Sequence, residues 1–186
     1  MQQQFWTRLL DKPLVRNHRS ISSRDFATLG SMLAPGVMFG LVLCIAYLLH
    51  PAYGWLAHSS LYPWELWVLA GFGAVATAGG LGDWLFHRAF VTVGPREHRS
   101  HLLALASGGV PLFVLMAIAS VLHRPALLLV PILITVLYTV TLICFDEFVF
   151  HRVRCTRLET LLHRMLVFGN GIAWLAWMNW CFVRVR

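Results

Sequence analysis

Long apolar runs alternate with short polar or basic stretches along the whole of this 186-residue chain. A helix needs about 20 apolar residues to cross the hydrocarbon layer. Five runs meet that length: 29–50, 64–86, 102–122, 126–148 and 164–183. Pro51 ends the first. Residues 51–63 carry no charge and hold Trp55, His58, Tyr62 and Pro63, an aromatic turn. Gly94-Pro95 marks a turn in the loop 88–100, and His123-Arg124-Pro125 forms a tight connection. Pro131 is placed to kink the fourth helix. The expected fold is an all-α integral membrane protein with about five transmembrane helices. Residues 29–186 form a single transmembrane domain. Residues 1–28 form a basic N-terminal arm, in which Phe5, Trp6, Leu9 and Leu10 allow either a short interfacial helix or a partly ordered segment.

Composition agrees with the pattern: 58% of residues are hydrophobic and 12% charged, against about a quarter charged in soluble domains. The net charge is +7, but the basic residues lie between apolar runs and form no nucleic-acid patch. Twelve of the 15 Lys and Arg residues fall in the arm, the loop 88–100 and the stretch 152–164. Arg124, Arg184 and Arg186 remain for the other side. The positive-inside rule then places the N-terminus and both basic loops in the cytoplasm. The expected compartment is a bacterial inner (plasma) membrane. Trp55, Trp64, Trp67, Trp177 and Trp180 cluster toward the outer interface, as an aromatic belt does. Cys44, Cys144, Cys155 and Cys181 show no metal or disulfide spacing and read as free thiols.

The chemistry lies in a unit spelled twice. The first copy is Asp83-x3-His87-Arg88, then Glu97-His98-x2-His101. The second is Glu147-x3-His151-Arg152, then Glu159-x3-His163. Residues i and i+4 share a helix face, so each acid points the same way as its histidine. Random placement of 8 acids and 9 histidines gives about 0.4 such pairs by template counting, and the chain has four. Glycines follow each copy, Gly108 and Gly109 in one, Gly169 and Gly171 in the other. In the five-span topology, both copies fall at the cytoplasmic mouth. Spans 2–3 and 4–5 then form two hairpins of the same direction, related as a parallel repeat. A run of small residues before Asp83, Ala70 through Gly82, lets neighbouring helices approach closely there.

Asp83 and Glu147 each end a long apolar run, where an ionisable group is costly, about 2.5–3.5 kcal/mol at a helix centre and less near its end. The candidate metal ligands are Asp83, His87, Glu97, His98, His101, Glu147, His151, Glu159 and His163. Four carboxylates and up to five imidazoles suit two metal ions. Such donors fit iron, zinc or manganese, and the spacing also tolerates copper or a single-metal site. A carboxylate four residues from a liganding histidine can instead hold the second ring nitrogen and fix its tautomer. Asp146 is a weaker candidate than its neighbour Glu147.

The order Phe86-His87-Arg88, Gly94-Pro95, His98-x2-His101, followed by Asp146-Glu147-x3-His151, His163, Asn170-Gly171 and Trp174, resembles the fatty-acid hydroxylase/sterol-desaturase superfamily. The resemblance covers about residues 80–178. Thr92 stands where that family has a second histidine, and Leu102 replaces the last histidine of its His-x-x-His-His box. The resemblance implies two irons on the cytoplasmic face, held in part by His87, His98, His101, His151 and His163. The acids Asp83, Glu97, Glu147 and Glu159 would stand at the vacated positions.

The function expected is that of a membrane-bound non-haem metal oxidoreductase, hydroxylating or desaturating a lipid-like apolar substrate with O2. Its partners would be the bilayer, that substrate and a separate electron donor, since no flavin or nucleotide fingerprint is present. Three alternatives stand beside it. One is a transmembrane b-haem electron-transfer protein. Another is a zinc-dependent membrane hydrolase, although no HExxH is present. The last is a non-enzymatic subunit in which acids and histidines pair only with charged neighbours.

Overall fold

The computed structural model describes residues 23–49, 51–90, 99, 103–148 and 156–184. Among the described residues the α-helices are α1 Ser23–Leu49, α2 Trp64–Phe90, α3 Val110–Val121, α4 Leu129–Asp146 and α5 Arg157–Met178. A wide helical turn, Ala104–Gly109, leads into α3, and a second, Asn179–Val183, continues α5. No strand occurs among the described residues. Five segments are long and apolar enough to cross a membrane: Thr28–Leu49, Trp64–Phe90, Ala104–Val121, Pro125–Phe145 and Arg157–Val183. They match the five apolar runs to within a few residues, except that the last begins seven residues early.

That early start has a local cause. Thr156 is the N-cap of α5, and its side chain accepts a hydrogen bond from the Glu159 backbone N–H at 3.2 Å. The Glu159 carboxylate in turn accepts from the Thr156 backbone N–H, also at 3.2 Å. This reciprocal capping box satisfies two N–H groups that a helix end otherwise leaves open. The charged stretch from Arg157 is therefore helix, not loop. Pro131 is the third residue of α4. In a first turn its missing N–H has no intrahelical acceptor to lose, so the expected mid-helix kink has no helix interior to act on.

The central feature is an antiparallel pair, α2 against α5, packed along nearly its whole length. A Cβ added at Gly79 would stand 2.7 Å from the Leu166 backbone nitrogen and 2.8 Å from the Leu162 carbonyl oxygen. One added at Gly169 would stand 2.9 Å from the Ala76 nitrogen and from the Phe72 oxygen. Only glycine permits these backbones to meet, and in lipid such contact is a main source of helix association. The helical turn before α3 meets α4 in the same manner: a Cβ at Gly108 would stand 2.6 Å from Thr139 Oγ1. Gly171 faces open space.

A core of Leu66, Met116, Ala119, Ile132, Trp177, Trp180 and Cys181 joins α2, α3, α4 and α5 at the end away from His87. Ser120 organises it. Its hydroxyl donates to the Met116 carbonyl at 2.8 Å and accepts from the Trp177 indole N–H at 2.9 Å. Its own carbonyl accepts from the Tyr53 hydroxyl at 2.9 Å, tying the 51–57 turn to α3. Trp177 and Trp180 are 1% and 4% exposed. They are core residues and not part of an exposed aromatic belt, a correction with a local reason: both pack in the core, and Ser120 satisfies the Trp177 indole N–H there. Trp64 and Trp67 are exposed, as belt residues are.

Candidate metal centre

Asp83 and His87 lie four residues apart in the last two turns of α2. His87 Nδ1 is 2.9 Å from the Asp83 carbonyl oxygen and 3.4 Å from its Oδ1. A carbonyl oxygen can only accept, so Nδ1 donates, and the neutral ring keeps its lone pair on Nε2. Nε2 lies 3.0 Å from Oε1 of Glu159 in the first turn of α5. The direction of that ring nitrogen misses the oxygen: His87 Nε2 is sealed from solvent yet makes no hydrogen bond among the described residues. The same holds for Asp83 Oδ1. A ring nitrogen this close to a carboxylate oxygen gains from the contact only when Nε2 carries a proton or a cation is shared by the two atoms.

A second contact lies at the start of α5. His163 Nε2 is 3.5 Å from Oε2 of Glu147, the residue that caps the end of α4. The first two turns of α5 thus touch the ends of both α2 and α4. Glu159 is almost fully buried, at 2% exposed, whereas Glu147 is exposed to 38%. A carboxylate so deeply buried stays charged only beside a cation or strong donors.

The sequence places each acid on the face of the histidine four residues later. That holds for Asp83 and His87. Elsewhere the contacts run between helices: Glu159 of α5 meets His87 of α2, and His163 of α5 meets Glu147 of α4. Among the described residues, no three of His, Cys, Asp and Glu gather closely enough to hold one metal ion. The ring of His87 explains part of this, since Asp83 and Glu159 approach its opposite nitrogens. Asp83 therefore stands as an orienting group, while Nε2 of His87 and Oε1 of Glu159 are the atoms that face each other. Glu97, His98, His101 and His151 lie outside the described residues, as does Cys155. Cys44, Cys144 and Cys181 are free thiols, as the spacing implied.

Two features escaped the reading of the sequence. Thr156 is one: the spacing Thr156-x-x-Glu159 is a legible capping box, but it was masked by the basic residues around it. Glu65 is the other. It is 2% exposed, in the first turn of α2, and accepts from Asn179 Nδ2 and from the Arg184 guanidinium, each at 2.9 Å. A lone acid at the start of an apolar span was its only signal. This cluster closes the far end of the α2–α5 pair, so buried carboxylates anchor that pair at both ends.

Fold and site together define an all-helical protein with five membrane-length helices and acid–histidine contacts at one end of the bundle. No family model, curated protein or solved structure matches the chain.

Proposed function

We propose that the chain is an integral metalloprotein of a bacterial inner membrane, its N-terminus and metal site on the cytoplasmic side. The observation that carries this is the buried approach of His87 Nε2 to Glu159 Oε1 at 3.0 Å without a hydrogen bond. A divalent cation shared by these two atoms would find donors of the right chemistry in them. Glu147 and His163 supply the same pair of donor types one or two turns away. Two metal ions, iron by preference, complete the proposal, with Glu97, His98, His101 and His151 joining on the strength of their spacing. The reading keeps the two units as a repeat, each with one glycine crossing: Gly108 meets Thr139 of α4, and Gly169 meets Ala76 of α2.

The activity we infer is O2-dependent hydroxylation or desaturation of a lipid-like substrate, with electrons from a separate donor. This rests on the histidine order shared with the fatty-acid hydroxylase/sterol-desaturase superfamily. Bound iron would supply the oxidising chemistry. The chain's own part is to hold His87 in one tautomer through the Asp83 backbone carbonyl, to aim the Glu159 carboxylate at the same ring, and to present that site to the bilayer between helices.

A second reading has its own support. His87 and His163 each sit against a carboxylate of another helix, so a protonated His87 would make the site an electrostatic clamp in a non-enzymatic subunit. Metal analysis of untagged protein in detergent separates the two. The metalloprotein reading expects stoichiometric metal that His87→Ala and Glu159→Gln each strip out. Metal-free wild-type protein whose melting temperature ignores a chelator would establish the clamp instead.

A further inference from the structure

Glu159 is the most buried of the described acids of the site, and as the third residue of its helix it folds back onto the cap. Two facts hold it inward. The Thr156 backbone N–H binds Oε2, and the Thr156 hydroxyl accepts the Glu159 N–H, so the carboxylate is tied back over the helix start. The free rotation of a glutamate, three torsions, is thereby removed before any ligand arrives. With Oε2 engaged, Oε1 is the oxygen left facing His87 Nε2 at 3.0 Å. Thr156 is itself buried, at 7% exposed, so water does not compete for its hydroxyl. The close approach of α5 to α2, with Leu162 filling the space above Gly82, sets the distance between the two helix ends.

We infer that Thr156 is a positioning residue for the metal site: its capping box divides the two oxygens of Glu159 between helix and ligand. This rests on the metalloprotein reading above and extends it to a residue that touches no metal. An outer group of this kind changes metal affinity roughly tenfold or more when removed. Serine keeps the hydroxyl and the capping geometry. Valine keeps the shape and loses the acceptor.

The test is a cobalt(II) titration of metal-stripped full-length protein in detergent, followed by visible absorption, for wild type, Thr156→Val, Thr156→Ser and Glu159→Gln. Folding of each is checked by gel filtration and circular dichroism. The expected result is an affinity weakened roughly tenfold in Thr156→Val, restored in Thr156→Ser, and lost further in Glu159→Gln. An intact affinity in folded Thr156→Val, with loss in Glu159→Gln, overturns this inference and leaves the metal site standing. A wild-type protein that takes up no cobalt overturns both. If Thr156→Val does not fold, Thr156→Ala and Thr156→Asn serve the same comparison, since asparagine caps well and alanine does not. Equal affinities in that pair overturn the inference.

Discussion

At the scale of single residues, the two carboxylates around His87 have different duties. Asp83 approaches Nδ1, which already donates to a backbone carbonyl, so the ring keeps its tautomer when the side chain is changed. Asp83→Asn should therefore weaken metal binding by roughly tenfold, as an orienting contact does. Glu159→Gln removes the charge that faces Nε2 and should cost far more. Isothermal titration with zinc, run on both variants, compares them directly; equal losses would mean that Asp83 is itself a ligand. Glu65 offers a prediction away from the site. Arg184→Ala takes one of two donors from a carboxylate that is 2% exposed. Leaving such an oxygen unsatisfied costs about 1–3 kcal/mol, seen as a lower melting temperature in detergent. Arg184→Lys should recover part of it, because lysine keeps the charge without the planar fork.

At the scale of elements, the α2–α5 pair stands on two glycines, and neighbouring positions supply the control. Gly79→Ala and Gly169→Ala drive a methyl into backbone atoms less than 3 Å away. Backbone cannot step aside as a side chain can, so about 1–3 kcal/mol of destabilisation is expected from overpacking. Gly73→Ala and Gly171→Ala meet nothing within 4 Å and should be neutral or slightly stabilising, since alanine is the better helix former. Thermal unfolding of the four variants decides it; equal effects would mean that the helices are not in backbone contact. The run of small residues before Asp83 announced a close crossing, and the hydropathy announced five spans, because both are local properties. What no local property carries is azimuth. The spacing puts Glu159 and His163 on one face of α5, but that α2 meets one and α4 the other depends on how three helices turn about their axes. Glu65 and Arg184 are separated by 119 residues, and nothing near either names its partner. Trp177 was misplaced for a related reason: tryptophan suits an interface or a core equally well, and its indole N–H is satisfied by Ser120 from another helix.

At the scale of the whole molecule, the acid–histidine end and the packing of the bundle are coupled. The contacts join the ends of α2, α4 and α5, so a cation bound there would stabilise the packed state and not the separated helices. Ligand bound only to the folded form adds stability that grows with its concentration, about 2.7 kcal/mol at one hundred times the dissociation constant. For a chain of this size each kcal/mol moves the melting temperature by roughly 2–4 °C. Removing metal from wild-type protein with a chelator should therefore lower the melting temperature by about 5–10 °C. Adding the metal back should restore it. Glu159→Gln should start low and respond to neither treatment, whereas Arg184→Ala, altered at the far end of the same helix pair, should start low and still respond to both. That crossed pattern distinguishes a cation in the site from a general weakening of the bundle, because a clamp made only of protonated histidine and carboxylate would give chelator-independent melting in all three proteins.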